Sequence, residues 1–292
     1  MTQQALDARR KDPDAPVWFI TGCSTGFGRE LASAVLAHGY RAVVTARNPE
    51  TVRELAEPYG NRALTLALDV TDGDEVRAAV HLALLTMGRI DVLVNNAGIG
   101  YFGAIEESDE AEVRRMFEVN VFGLAHMTQA VLPGMRTRRA GHIVNISSIG
   151  GIRAFPAVGF YNATKFAVVG LSESLAMEVE PLGIKVTIVE PSGFRTDWAG
   201  RSANEAPNEI ADYADTAGAN RRNIRDHSGK QPGDPVRAAE AIIKAVESDQ
   251  PPLHLLLGKA ALKGAHYKLE LMKRDFDAWQ ETTVGADFPE GE

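Results

Sequence analysis

The sequence predicts a single doubly wound α/β domain built on a seven-stranded parallel sheet. Three observations carry that expectation. Short apolar runs alternate with longer amphipathic stretches, the runs are apolar along their whole length, and a glycine-rich turn directly follows the first run. Strands alternating with helices pair in parallel through crossovers, and strands apolar on both faces need helices on both sides of the sheet. Ligands of such a fold sit beyond the carboxyl ends of its strands.

The elements follow in order. Residues 17–21 form the first strand and 29–38 its helix. Residues 41–46 form the second strand, followed by a helix over 50–57 that Pro58-Tyr59-Gly60 stops. A third strand covers 63–68, a helix 74–87 and a fourth strand 90–94. Ser108-Asp109-Glu110-Ala111 opens a long helix reaching about residue 135, with its bend expected at Pro133. Strand 142–146, helix 158–180 and strand 185–189 come next. Helix 236–248, a seventh strand at 253–257 and a last helix from 259 to about 282 complete the pattern.

Composition bounds the function. The 292 residues are 45% hydrophobic and 24% charged, an ordinary globular mixture that one large domain can hold. A net charge of −8 speaks against a general nucleic-acid binder, which needs a basic face. Cys23 is the sole cysteine, so no internal disulfide forms, and a reducing cytoplasm is the expected compartment. Residues 1–14 are polar and charged and read as a disordered tail without a secretory signal. No run reaches the ~18 apolar residues of a membrane span. The seven histidines are scattered rather than set at metal-ligand spacing, so no metal is expected.

The first strand leads into Thr21-Gly22-Cys23-Ser24-Thr25-Gly26-Phe27-Gly28 and then a helix. Gly22, Gly26 and Gly28 permit a tight turn and close approach of backbone to a pyrophosphate, with Ser24, Thr25 and Phe27 between them. The helix N-terminus adds unpaired N–H donors for the anion. At the end of the second strand an acidic residue would bond the ribose hydroxyls of NAD(H). Ala46 stands there instead and Arg47 follows, a guanidinium suited to the 2′-phosphate of NADP(H). NADP(H) is therefore the expected cofactor and NAD(H) the alternative.

Tyr161 and Lys165 are four residues apart at the start of a long helix and share one face. A phenol with an unperturbed pKa of about 10 is a poor base until nearby positive charge favours its phenolate. The Lys165 ammonium and an oxidised nicotinamide would supply that charge. Ser148, just past the fifth strand, offers a hydroxyl to a substrate oxygen.

With these residues in this order, the sequence resembles the short-chain dehydrogenase/reductase family over residues 17–257. The glycine pattern is similar to the family's loop. Asn95-Asn96-Ala97-Gly98 resembles its signature after the fourth strand, and Asp69-Val70 the pair that approaches adenine. Asn120, in Glu118-Val119-Asn120-Val121-Phe122-Gly123, matches an asparagine associated with a water-linked proton relay. The resemblance implies Ser148 as oxyanion partner, Tyr161 as acid/base and Lys165 as activator that also holds the nicotinamide ribose. It implies cofactor contacts at Asn96, Ala97 and Gly98, and at Pro191, Gly193 and Thr196, the last to the nicotinamide amide. Ser192 departs from the family's Pro-Gly pattern there. The family also implies homodimers or homotetramers formed through the helices carrying Asn120 and Tyr161.

Substrate is expected among Tyr101, Phe102, Ile152, Phe155, Phe160, Phe194 and Trp198, in a partly apolar cleft. Residues 195–235 have the length and composition of a lid. Within it Arg201, Arg221, Arg222 and Arg225 read as a solvated charged face, or as partners for an acidic substrate. The extension over 259–292, with Trp279 and Phe288, is expected to pack on the domain or on a neighbouring subunit. The expected function is hydride transfer between nicotinamide and a small-molecule alcohol or ketone. The alternatives are a cofactor-sensing regulator without turnover and a nucleotide-sugar epimerase or dehydratase.

Overall fold

The computed structural model describes Arg9, residues 12–200 and residues 202–288. Its main sheet holds seven parallel strands: β1 (Val17–Ile20), β2 (Arg41–Ala46), β3 (Ala63–Ala67), β4 (Val92–Asn95), β6 (Gly141–Ile146), β7 (Ile184–Pro191) and β9 (His254–Leu257). Their order across the sheet is β3-β2-β1-β4-β6-β7-β9, so the chain reverses direction of travel between β1 and β4. That reversal opens a crevice at the carboxyl ends of β1 and β4.

Alternation along β1 shows why both faces are covered. Trp18 and Ile20 pack on one side against Leu31 and Val35 of α1 (Gly26–Ala37). Val17 and Phe19 pack on the other, against Val76 and Val80 of α3 (Gly73–Met87). The short α2 (Arg53–Ala56) lies between short 3₁₀ turns, and the chain past Pro58 continues as a 3₁₀ segment to Arg62 rather than stopping. α8 (Pro235–Val246) covers the first face beside α1.

The long helix differs from expectation at its bend. α4 (Glu110–Phe117) is capped by Asp109, whose carboxylate accepts from the Glu112 N–H. A π-turn over Glu118–Phe122 then leads into α5 (Gly123–Arg138), which runs through Pro133. The irregular turn therefore surrounds Asn120, not the proline. The Asn120 side chain is held by both backbone groups of Ile99 and by Thr164, and a π-turn fits the extra residue. α6 (Gly159–Val179) follows β6.

The sequence pattern missed three elements. β5 (Gly100–Phe102) pairs in parallel with β8 (Ala203–Glu205), and α7 (Ala219–Asp226) lies within the expected lid. Of the arginines in the expected lid, Arg221 and Arg225 are held by the chain rather than forming a free charged face, while Arg222 is exposed. Arg225 donates to the carbonyls of Ala199, Gly200 and Ala203 at 2.8, 3.0 and 3.1 Å and stacks over Phe102. Arg221 is buried and paired with Glu205 and Glu209, while Arg222 bonds the Ala214 carbonyl. Arg201 lies outside the described residues.

Most of the expected tail over 1–14 also lies outside them, but Arg9 sits over the Tyr40 ring and pairs with Glu247. The chain ends in α9 (Lys259–Ala278) and α10 (Gln280–Val284). Among the described residues no helix is long and apolar enough to cross a membrane.

Because Arg225 ties three lid carbonyls together, Arg225→Ala should speed amide hydrogen exchange across 199–226 while leaving the melting temperature nearly unchanged. Unaltered exchange in that segment would show that the clamp does not hold the lid.

Candidate active site

One cavity of about 750 Å³ runs from the ends of β2 and β3, across β1 and β4, to the lid. Its first wall is the glycine turn: Gly22, Ser24, Thr25, Gly26 and Phe27 all line it. α1 has no side-chain cap and no acidic residue in its first turn. α3, α4 and α8 are each capped by an aspartate, Asp72, Asp109 and Asp234. The bare N-terminus of α1 is thus suited to an anionic group. Gly28 does not line the cavity; it lies behind the turn. A Cβ there would come within 2.4 Å of the Asn96 amide nitrogen and 2.5 Å of the Gly22 carbonyl oxygen.

That crowding has a cause. Asn96 Nδ2 donates to the carbonyls of Thr21 and Gly22 at 2.8 and 2.9 Å. The Thr21 hydroxyl accepts from the backbone N–H groups of Asn96 and Ala97 at 2.9 and 3.0 Å. The loops after β1 and β4 are bolted together, and Asn96, Ala97 and Gly98 line the cavity from that joint.

Arg47 lines the cavity beside Ala46 at the end of β2, with its side chain exposed. Asp69 and Val70 form the neighbouring wall, where one Asp69 carboxylate oxygen accepts from the backbone and hydroxyl of Thr71. These walls fit a dinucleotide: an uncapped helix end for pyrophosphate, a guanidinium at the β2 end, and a glycine backbone with no room for a side chain behind it.

Ser148, Tyr161 and Lys165 meet further along. The backbone N–H of Gly150 donates to Ser148 Oγ at 3.0 Å, leaving the hydroxyl proton free for the Tyr161 oxygen to which Ser148 is hydrogen-bonded. Ser147 is turned away and donates to the Lys165 carbonyl. Lys165 Nζ donates to the Ile146 carbonyl at 2.9 Å and stands 5.6 Å from the centre of the Tyr161 ring.

Burial pushes the Tyr161 phenol above its ordinary value, against the opposing hydrogen bond from Ser148. The lowering expected from Lys165 together with an oxidised nicotinamide belongs to the cofactor-bound state; in the cofactor-free fold burial prevails. The lysine points to Ile146 rather than to the phenol oxygen, and it is itself buried. Burial brings Lys165 down to about 8.

Asn120 is not among the cavity-lining residues. It is buried, with its amide committed to Ile99 and Thr164. Thr164 in turn donates to the Tyr161 carbonyl, so Asn120 acts on the position of α6.

Pro191, Gly193 and Thr196 line the cavity after β7. Ser192 is accommodated because Gly258, at φ 93°, lies where a Cβ would come within 2.5 Å of the serine hydroxyl. The Phe27 and Phe194 rings, 5.1 Å apart, join this segment to the glycine turn.

The substrate end has walls of Ile149, Phe155, Val158, Trp198 and Ile224, and a rim of Asn204, Asn220, Asn223 and His227. Of the expected substrate residues, Phe155, Phe194 and Trp198 line the cavity. Tyr101, Phe102 and Phe160 pack behind it with Met116, and Ile152 packs with Ala261 and Ala265. Asn220 and Asn223 escaped the sequence reading because α7, with Ile224 as its one large apolar residue, does not announce itself; Asn204 lies on β8, and His227 and Gln231 follow α7.

The short chain dehydrogenase family model matches residues 16–207. An oxidoreductase of Botryotinia fuckeliana, BOA17, is 38% identical over 92% of this chain and 98% of its own. A 3-ketodihydrosphingosine reductase of Bacteroides thetaiotaomicron is 40% identical over 82% of this chain and 86% of its own.

Among solved structures, a short-chain dehydrogenase from Streptomyces avermitilis superposes with a TM-score of 0.87 at 43% identity, covering 94% of this chain and 100% of that one. Two others hold cofactor. A Burkholderia phymatum enzyme in complex with NAD has a TM-score of 0.77 at 28% identity, over 89% of this chain and 95% of its own. ElxO with NADP bound has a TM-score of 0.71 at 28% identity, over 85% and 99%.

The chain belongs to the short-chain dehydrogenase/reductase family. It is an oxidoreductase acting on CH–OH and C=O groups with a nicotinamide cofactor. Neither the regulator nor the epimerase alternative gains support from these similarities.

The depressed Lys165 also sets a pH test. Between about pH 8 and the ordinary lysine value of 10.5, the unfolded chain binds a proton that the cofactor-free fold does not. Stability should therefore gain from this group as pH rises through that window. Comparing denaturant melts of the wild type and Lys165→Met across it should show the gain only in the wild type. Parallel curves would overturn the assignment.

Proposed function

We propose that this enzyme is an NADP(H)-dependent reductase and dehydrogenase of apolar ketones and alcohols, with Tyr161 as its acid/base. The observation that carries the cofactor preference is the end of β2. There the cavity is lined by Ala46 and Arg47, with no carboxylate to repel a 2′-phosphate. The solved relatives include both NAD and NADP complexes, so this local chemistry is the discriminating feature. NAD(H) is the second choice.

A bound nicotinamide supplies the hydride for reduction and takes it in oxidation. The chain's own residues manage the oxygen and its proton. With Gly150 bonded to Ser148 Oγ, the serine hydroxyl turns toward the Tyr161 oxygen, and a substrate oxygen placed between them receives both donors. Burial keeps the Tyr161 phenol protonated near neutrality, the state needed to hand a proton to a carbonyl. Lys165, fixed by Ile146, keeps a donor and its charge on the cavity side for the cofactor ribose and the phenol. Asn120 is a positioning residue in this scheme, acting through Thr164 on the start of α6.

Two features support an apolar substrate. Ile149, Phe155, Val158, Trp198 and Ile224 give the substrate end an apolar wall inside its polar rim, and one relative is named a 3-ketodihydrosphingosine reductase. Assembly through the helices carrying Asn120 and Tyr161 is supported by Phe122, Phe166 and Met177, which those helices leave exposed.

Tyr161→Phe should lower turnover by roughly 10²–10⁴-fold, the usual worth of general acid–base catalysis, with NADPH binding retained in a fluorescence titration. Near-normal turnover would remove the acid/base assignment.

Arg47→Ala should weaken NADPH by roughly 10- to 100-fold, the worth of a charge-assisted contact, and leave NADH almost unchanged. Equal losses for the two cofactors would end the selectivity argument.

A further inference from the structure

α9 begins on the domain and then leaves it. Ala261 and Ala265 pack with Ile149, Ile152, Phe155 and Leu256, and Gly264 lies against Ile149. From His266 to Phe288 no described residue is buried. Yet this projecting stretch is far from polar. Leu262, Leu269 and Phe276 recur every seven residues, and Met272 and Trp279 take the fourth position of the same repeat. Leu269, Phe276 and Trp279 are 63%, 63% and 65% exposed.

Such a helix is poorly stable alone. An unpartnered helix of this length is marginal in water, and a row of large exposed apolar side chains marks a surface that something covers. The seven-residue repeat indicates what does. A helix resting on a globular body or a bilayer shows a broad apolar face, whereas a narrow seam of first and fourth heptad positions fits a second helix of the same kind.

We infer that α9 is an antiparallel docking seam for a second copy of this chain. A two-fold axis near the middle of the helix sets Leu269 opposite Met272 of the other copy and Leu262 opposite Trp279. Phe276 then reaches the root of the partner's α9, where Ala265 is turned into its own domain. The same register brings Lys268 beside Asp275 of the other copy, opposite charges on the flank of the seam. Parallel pairing would instead approach Lys268 to Lys273. It would also leave the projecting ends without the surface of the partner's domain. An anionic bilayer is a poorer occupant, because Glu270, Asp275, Asp277 and Glu281 stud the same segment of a chain with net charge −8.

Pairing would also bear on the catalytic wall. The root of α9 braces Ile149 and Phe155, both of which line the cavity.

The test uses the full chain. Light-scattering mass of the wild type should exceed that of the Leu269→Lys/Phe276→Lys variant twofold, with NADPH binding retained, since neither residue touches the cavity. A second measurement does not depend on that variant. Co-produced Lys268→Cys and Asp275→Cys chains should be joined by a short bismaleimide as a mixed dimer, while neither chain alone is joined. Cys23 is buried and will not compete.

Equal masses for wild type and variant would overturn the seam. So would crosslinking of each single-cysteine chain to itself without gain in the mixture. Sedimentation of the wild type, but not the variant, with phosphatidylglycerol vesicles would assign the face to a membrane instead.

Discussion

The structure depends first on the joint between the loops that follow β1 and β4. These strands are neighbours at the point where the sheet reverses, so their loops must diverge to open a crevice and still hold a fixed separation. Thr21-Gly22 and Asn96-Ala97 meet that requirement through four hydrogen bonds, two accepted by the threonine hydroxyl and two given by the asparagine amide. All four fall within 2.8–3.0 Å. Gly28 follows from this joint, since the amide and the Gly22 carbonyl occupy the space any side chain would need. The glycine pattern is thus as much a packing rule as a phosphate rule.

A second polar chain carries the same order to the catalytic end. Asn95 Nδ2 donates to Thr128 Oγ1 and to Asn145 Oδ1, and Asn145 Nδ2 donates to Ser172 Oγ. All four residues are buried, where an unmet donor or acceptor is expensive. The chain therefore fixes β4 against β6, and β6 against α6. Ser148 follows β6 and Lys165 lies on α6, so their separation is set by bonds deep in the sheet. Buried networks of this kind specify one arrangement because any shift leaves several groups unpaired at once.

Much of this was legible in the sequence because it rests on local rules. The seven strands announce themselves by apolar runs, and the glycine turn, Arg47, Ser148, Tyr161 and Lys165 by type and order. What escaped detection depends on distant partners. β5 and β8 are three-residue strands that exist only because they meet each other. Arg221 and Arg225 read as part of a solvated face because sequence cannot show that their partners are nearby glutamates and backbone carbonyls. The bend was sought at Pro133, where a missing N–H is visible, and occurs at Asn120, where the cause is a tertiary hold on the side chain. The phenol was expected to be lowered by its lysine together with an oxidised nicotinamide, and burial acts on it the other way. Which way Nζ turns, and how deeply the pair is buried, are not properties of spacing.

That burial has a consequence for the kind of molecule the site accepts. Loss of water raises the Tyr161 phenol and brings Lys165 down to about 8, and among the described residues their partners are the Ser148 hydroxyl and the Ile146 carbonyl. Trp198, its ring 4.8 Å from that of Tyr161, further limits water at the phenol. A polar substrate body would surrender its own hydration here and find few replacement partners along Ile149, Phe155, Val158 and Ile224. An apolar body loses nothing on entry and leaves the single oxygen to be met by Ser148 and Tyr161. The same low-dielectric surroundings strengthen those two hydrogen bonds as charge develops on that oxygen. On the proposed reading, selectivity for an apolar ketone and stabilisation of its reduction have one physical source: an apolar stretch of wall beside Ser148 and Tyr161, with the asparagines and His227 set at the rim.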